Sequence, residues 1–397
     1  MQWFGHARAT AGLLKSASWM KNLFYDCFQT FMENAEKECN IGLASGQSGA
    51  ILCSDALYRD CGKDTFREIR DKLIDKEAGK VINRYDAGSG LAGFALTLKW
   101  CKLYKDVIGT QDAIVKKRLE MALLGYSAKS QLAYFEGAAG ILLFFLQDAG
   151  MKEYDKLRVY CSFYSKCVKE SLEKRSLYSP LNFKGEAVRC INLGTPHGLT
   201  GILLVLLMAY RATEMQEVKE AALETCRYIV SNMNRSGPWH IPCGITQSGR
   251  PLDSGIGWCY GDLTTAYALM QAGDTLGADD FKELGLRLML SCKERIDKQK
   301  SNYKNLCLCH GLSSLFLIFK KTFELTQHPS LKCAYKEYKE RFHALLEKKF
   351  ASFIAGEEDA DRSFFQDPSL FYGVCGCILC LSAGDAEEGS WQSALLL

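Results

Sequence analysis

Four residues between positions 197 and 310 have side chains that together can bind a soft divalent metal and move a proton: His197, Cys259, Cys309 and His310. Two thiolates and one imidazole suit zinc, which Cys and His bind tetrahedrally, and three protein ligands leave the fourth position open, as in a catalytic site. An ordinary thiol, with a pKa near 8.5, is only a few per cent thiolate at neutral pH; coordination deprotonates it outright and removes a penalty of roughly 2 kcal/mol. His197, as an imidazole, suits a proton-transfer role beside such a thiol. Cys307 also lies close to His310, in a Cys-x-x-His pairing that rivals Cys309 as a ligand.

What can bring these residues together is a repeat. A glycine step recurs seven times, at Gly46/Gly49, Gly90/Gly93, Gly137/Gly140, Gly198/Gly201, Gly261/Thr264, Gly311/Ser314 and Gly373/Gly376, with first members 44 to 63 residues apart. Two steps replace the second glycine by Thr or Ser, so small size is the expected requirement there. Nearly uncharged segments such as GILLFFLQDAG, GILLVLLMAYRA and LTTAYALMQAG follow the steps, and a helix apolar all round must be buried. Charged segments lie between them. Phe281, Leu284 and Leu288 in 279–297, and Tyr335, Tyr338, Phe342 and Leu346 in 333–350, keep the spacing of one helix face. Each unit therefore reads as an outer helix, a loop, a glycine-started turn and an inner helix.

Seven such hairpins predict an all-α fold in a single domain over 1–397, an α/α toroid with inner and outer helix rings. Closure into a ring is favoured because the first and last inner segments, GAILCSDALY and GCILCLSA, carry no polar capping face. Strand-like alternation is sparse; the Gly/Pro-punctuated stretch 237–256 is the place for a short hairpin before the fifth inner helix. In the repeat frame, the residues one before each first glycine are Ser45, Ser89, Glu136, His197, Tyr260, His310 and Tyr372. Two before it stand Ala44, Gly88, Phe135, Pro196, Cys259, Cys309 and Phe371. Polar and ligand-type residues thus gather at the N-terminal end of the inner helices. Cys259 and Cys309 occupy equivalent positions on consecutive units, which favours Cys309 over Cys307.

Composition narrows the field. Lys plus Arg number 49 against 46 Asp plus Glu, a net charge of +3 with no basic cluster, which argues against nucleic acid or an anionic membrane as partner. No apolar run approaches the roughly 20 residues of a spanning helix, so no integral membrane segment is expected. The N-terminal stretch does not read as a signal peptide. The 18 cysteines then read as reduced thiols of a cytoplasmic protein; Cys161, Cys167, Cys226 and Cys292 fall within helical patterns as small buried apolar residues.

The strings WCYG (258–261) and CHG (309–311), with TPHGLTG (195–201) upstream, resemble the signature blocks of the lanthionine synthetase C (LanC) family, bacterial cyclase type; Tyr260 fits the bacterial pattern. The resemblance runs through all seven glycine repeats, from about residue 40 onward. It implies an α/α toroid with zinc at its mouth, held by Cys259, Cys309 and His310. The implied cyclase joins a peptide cysteine to dehydroalanine or dehydrobutyrine as a thioether. His197 would handle the proton on the enolate or the thiol, and Tyr260 matches an active-site tyrosine. The implied partners are a dehydrated, leader-bearing precursor peptide, a separate dehydratase, since the toroid is expected to use the whole chain, and an exporter.

Two departures stand against this pattern. The family's Asp four residues before the third repeat glycine is Ala133 here, and its Arg four residues before the first zinc cysteine is Gly255. The resemblance gives the Asp the task of orienting the histidine and the Arg that of supporting developing negative charge; losing a charge-stabilising donor can cost on the order of 10²–10³ in rate. Glu136, Asp262 and Arg250 are the nearby candidates to compensate. Two further readings follow: a catalytically degenerate relative that binds peptide or scaffolds a complex, and a zinc enzyme that adds a small thiol such as glutathione. A glycosidase with Glu136 and Asp262 as its carboxylate pair would leave the Cys-Cys-His set unexplained.

Overall fold

The computed structural model describes residues 41–44, 47–78, 82–147, 153–234, 239–298, 305–357, 361–382 and 391–397. Gly46 and Ser45 of the first repeat, and Gly237 and Pro238 of the 237–256 stretch, lie outside the described residues. The chain divides into two compact units. One comprises Met1–Asn40, Ser45–Lys80 and Ser301–Glu388; the other comprises Ile41–Ala44, Val81–Lys300 and Gly389–Leu397.

In the second unit, four apolar helices follow the glycine steps: Leu91–Trp100, Ala138–Leu146, Leu199–Thr213 and Asp262–Leu276. Ala138–Leu146 buries every residue but its last, as an uncharged helix must. Amphipathic helices pack against them: Asp112–Leu124, Tyr154–Glu173, Gln216–Ser231 and Asp279–Lys298. Gln216–Ser231 buries Val218, Ala221, Ala222, Thr225, Cys226 and Ile229, one stripe at helical spacing. In Asp279–Lys298 the buried stripe is Gly285, Leu288, Met289, Cys292 and Ile296, so Phe281 and Leu284 lie at its edge, half-buried. The other unit repeats the scheme. Ser48–Cys61, Leu312–Thr326 and Val374–Ser382 are its apolar helices, and Asp64–Ala78 and Pro329–Ala355 are amphipathic. The long Pro329–Ala355 turns Leu331, Ala334, Tyr338, Phe342, Leu346 and Phe350 inward.

The glycines are required by packing rather than by torsion. At Gly90, Gly137, Gly198, Gly261, Gly311 and Gly373, a Cβ would lie no more than 2.6 Å from the carbonyl oxygen six residues earlier. That carbonyl is close because it serves the helix that follows. The N–H groups of Leu91, Ala138, Leu312 and Val374 donate to the carbonyls of Arg84, Gln131, Asn305 and Asp367 at 2.8–3.3 Å. Loop carbonyls thus satisfy helix donors that a Ser or Asp cap would otherwise take. The second glycines meet the same restriction: a Cβ at Gly93, Gly140, Gly201 or Gly376 would collide with the carbonyl six residues back. The fifth step departs. Gly261 sits at φ +92°, and the Thr264 hydroxyl donates to that same carbonyl, of Trp258, at 3.0 Å. Small size is therefore not the only solution at the second position.

The loops also join one another. Ala44 N–H donates to Gly88 O, Gly88 N–H to Phe135 O and Phe135 N–H to Pro196 O, at 2.8–2.9 Å. Pro196 has no N–H, so Thr195 donates instead, to Cys259 O at 2.9 Å; in the other unit Cys309 N–H donates to Phe371 O at 2.9 Å. Every residue in these bonds but Thr195 stands two before a repeat glycine, so the repeat frame is a hydrogen-bonded register.

Four antiparallel strands, β1 (Tyr178–Phe183), β2 (Glu186–Asn192), β3 (Gly244–Thr246) and β4 (Pro251–Leu252), form one sheet in that order. The pair β3–β4 is the hairpin expected within 237–256. The pair β1–β2, in register from Tyr178↔Ile191 to Phe183↔Glu186, is an addition to what the sequence suggested. All 16 cysteines among the described residues are free thiols, and only Cys61 and Cys333 are exposed.

Candidate metal and catalytic site

Cys259 sits in a loop closed by an isolated bridge between Ile256 and Gly261. Its neighbour Trp258 is fully buried and donates its indole N–H to Leu395 O at 2.8 Å. With the Trp258 carbonyl held by Thr264 and the Cys259 carbonyl held by Thr195, the backbone around the thiol is tied on both sides. Tyr260 lays its ring on the backbone of Gly194, where even a Cβ would meet two ring carbons at 2.5 Å. Its hydroxyl accepts from the Asn192 amide at 3.1 Å, while Asn192 Oδ1 accepts from Gly194 N–H at 2.8 Å.

The Cys309–His310 pair is built the same way. Asn305 Oδ1 accepts from Cys307 N–H at 2.8 Å, and Cys307 Sγ accepts from His310 N–H at 3.5 Å. Cys309 is buried, His310 is exposed, and the His310 ring lies 6.2 Å from that of Tyr372. Asn305 Nδ2 lies 3.4 Å from His310 Nε2.

Among the described residues, one set of three His, Cys or acidic side chains can hold a metal ion: Cys259, Cys309 and His310, with ligand atoms all within 4.8 Å of one another. Two thiolates and an imidazole are usual donors to zinc, and three of them leave a fourth position open, so the donor types and number fit a zinc ion. Cys307, the rival ligand, is not in this set; its sulfur is engaged by the His310 N–H.

His197 pairs with an acidic side chain of the preceding repeat. Its Nδ1 lies 2.7 Å from Glu136 Oε2, and its ring meets that of Phe135 edge-on at 5.8 Å. Of the three candidates to compensate for Ala133 and Gly255, Glu136 alone makes such a contact. Asp262 does not face the site: it is fully buried, ion-paired with Arg295, and accepts from His240 N–H at 3.0 and 3.1 Å and Ile241 N–H at 2.6 Å. This packing removes Asp262 as a candidate to compensate, and with it goes the carboxylate pair of a glycosidase. Arg250 is an exposed turn residue bonded through its backbone to Thr246. Ala133 is buried, whereas a Cβ at Gly255 would meet nothing within 4 Å.

Asn192 and Asn305 were not singled out from the sequence. Both stand six residues before a repeat glycine, and both reach a residue of interest, Tyr260 and His310. Their equal offset in the fourth and sixth repeats is the signal that could have found them.

A family model described as lanthionine synthetase C-like protein matches residues 109–396. The nisin biosynthesis protein NisC of Lactococcus lactis subsp. lactis is 24% identical over 391 residues, covering 89% of this chain and 88% of NisC. Among solved structures, a nisin cyclase superposes with a TM-score of 0.71 at 18% identity, over 95% of this chain and 97% of that one. That likeness shows the fold, a mostly helical α/α toroid. Among the described residues, no helix is long and apolar enough to cross a membrane.

Proposed function

Because this chain belongs to the lanthionine synthetase C-like family, we propose that it is a zinc-dependent peptide cyclase. It adds cysteine thiols to dehydroalanine or dehydrobutyrine within one ribosomally made peptide and so forms lanthionine and methyllanthionine rings. The observation that carries the reading is the Cys259–Cys309–His310 set, whose donors fit zinc with one position left over. The likeness to NisC supports a dehydrated precursor peptide as substrate. Dehydration would come from a separate dehydratase, and an exporter would carry the product away. The reading puts the enzyme in the cytoplasm, as one toroidal domain over 1–397.

Cys259, Cys309 and His310 would hold the metal, which when bound supplies a substrate thiolate at neutral pH. The rest falls to this chain's own residues. His197 carries the proton that leaves the thiol and returns it to the α-carbon after the sulfur has bonded to the β-carbon. Tyr260, whose hydroxyl accepts from the Asn192 amide, would support the charge that develops on the enolate oxygen. The tied loop around Cys259 keeps that ligand from needing to reorganise as the reaction proceeds.

The test is incubation of a dehydrated peptide carrying free cysteines with the protein and zinc, followed by alkylation and mass spectrometry. Cyclisation leaves the mass unchanged and removes alkylatable thiols. A mass gain of one glutathione, when glutathione is present, would instead establish small-thiol addition. Thiols that stay alkylatable on a bound peptide would establish a non-catalytic scaffold.

A further inference from the structure

We infer that Glu136 is the positioning residue for His197, holding the imidazole in the one neutral tautomer whose lone pair sits on Nε2. The inference rests on the cyclase reading above and names the carboxylate that orients its proton carrier.

The contact is short, Nδ1 to Oε2 at 2.7 Å. An ionised carboxylate can only accept a hydrogen bond, so Nδ1 must carry the hydrogen. In the neutral ring Nε2 is then the free base. The backbone fixes the pair as well: Glu136 and His197 each stand one residue before a repeat glycine, and the residues just before them, Phe135 and Pro196, are joined by an N–H to carbonyl bond of 2.9 Å. The edge-on contact with the Phe135 ring limits rotation of the imidazole about its own axis. Ala133, where the resembling family has Asp, offers no polar atom for this task. The carboxylate comes instead from three residues further along the same loop.

A purely structural ion pair is a poor alternative account. The two side chains are 35% and 44% exposed, and pairs so placed add little to stability because water screens them and their side chains lose freedom. Orientation is where the contact has an effect. The proton balance of the proposed reaction requires it: the thiol S–H bond breaks and Nε2 takes the proton. The sulfur then bonds to the β-carbon while the alkene pair shifts toward the carbonyl, and Nε2–H returns the proton to the α-carbon. A ring carrying its hydrogen on Nε2 at the outset cannot accept the first proton there. A buried triad histidine turned to the wrong tautomer loses on the order of 10⁴ in kcat. For a half-exposed pair, a loss of about ten- to a hundred-fold is expected, at or below the lower end of the 10²–10⁴ of a positioned acid–base group.

The experiment is ¹⁵N NMR of the zinc-loaded full chain labelled at its six histidines. His197 is assigned through His197→Gln, and wild type is compared with Glu136→Ala and Glu136→Gln. The expected result is an Nδ1–H His197 in wild type and in Glu136→Gln, whose Oε1 still accepts, and a shift toward Nε2–H in Glu136→Ala. Alongside it, kcat for cyclisation should fall in Glu136→Ala with KM within two-fold of wild type, and recover in part in Glu136→Gln. A His197 tautomer unmoved by Glu136→Ala would overturn the inference, as would an equal loss of kcat in both variants while only one shifts tautomer. The NMR readout needs no substrate, so a wild type that cyclises nothing would refute the cyclase reading while leaving the tautomer result to decide the contact.

Discussion

Replacing Asp262 separates its packing role from a chemical one, because it stands three residues from Cys259 yet has no exposed surface. In Asp262→Ala, the guanidinium of Arg295, with only 16% of its side chain exposed and stacked 5.4 Å from the Trp239 ring, loses its carboxylate. Breaking one half of a buried ion pair costs about 3–5 kcal/mol. That range already includes part of the cost of orphaning the N–H groups of His240 and Ile241, each worth about 1–3 kcal/mol when buried and unpaired. A loss of about 4 kcal/mol is therefore expected. Asp262→Asn, which keeps one acceptor oxygen, should lose about half as much. Combining Asp262→Leu with Arg295→Met removes both charges and should recover part of the loss, leaving the two orphaned N–H groups as the remainder. Urea unfolding followed by circular dichroism measures all three. The reasoning is refuted if Asp262→Asn matches wild type in stability but abolishes cyclisation, since the carboxylate would then act on the substrate after all.

Other expectations follow from the buried thiols and the site's supports. Burial pushes the Cys161, Cys226 and Cys243 thiols up to about 12 and Cys190 to about 11. The unfolded chain ionises these thiols first, so stability is fully present below pH 9 and falls as pH rises toward 12, by up to about 1.4 kcal/mol per thiol per pH unit. Unfolding midpoints at pH 8 and pH 10.5 should differ accordingly, and equal midpoints would contradict the burial. Brief maleimide treatment of the native protein should modify Cys61 and Cys333, the exposed pair, well before Cys161 or Cys226; peptide mapping reads the order. Asn192→Leu removes the donor to Tyr260 and should lower cyclisation about ten-fold, less than the 10²–10³ of a lost charge-stabilising donor because Asn192 acts through Tyr260. Metal content should not change, and a loss of metal in that variant would mean that Asn192 supports the ligands instead.

Much of this arrangement was legible in the sequence because a single frame orders it. The glycines mark where carbonyls and helix N-termini crowd, and within each unit the residues two before them share backbone hydrogen bonds; Cys259 and Cys309 were matched by that common offset. The charged helices followed from their spacing, although the edges of the buried stripe shifted in Asp279–Lys298. Other features were hidden for physical reasons. The β1–β2 hairpin turns at Lys184 and Gly185, both at positive φ, a tight turn usually announced by Asn-Gly or Asp-Gly; Pro180 inside β1 further masks the strand. Asp262 stood as a candidate near the site because offset from a glycine gives position along the chain, not the direction of a side chain. Its partner Arg295 lies 33 residues on, beyond any local pattern. The same limit applied to Glu136 and His197, which share an offset on consecutive repeats without any sign that they touch.

Zinc content per chain, measured on purified wild type and on Cys309→Ala and Cys307→Ala, tests most directly whether Cys259, Cys309 and His310 form the metal centre on which the proposed chemistry depends. One zinc per chain in wild type and in Cys307→Ala, with loss in Cys309→Ala, is the result expected. A well-folded wild type without zinc, or a Cys307→Ala variant that loses the metal while Cys309→Ala keeps it, would contradict that centre.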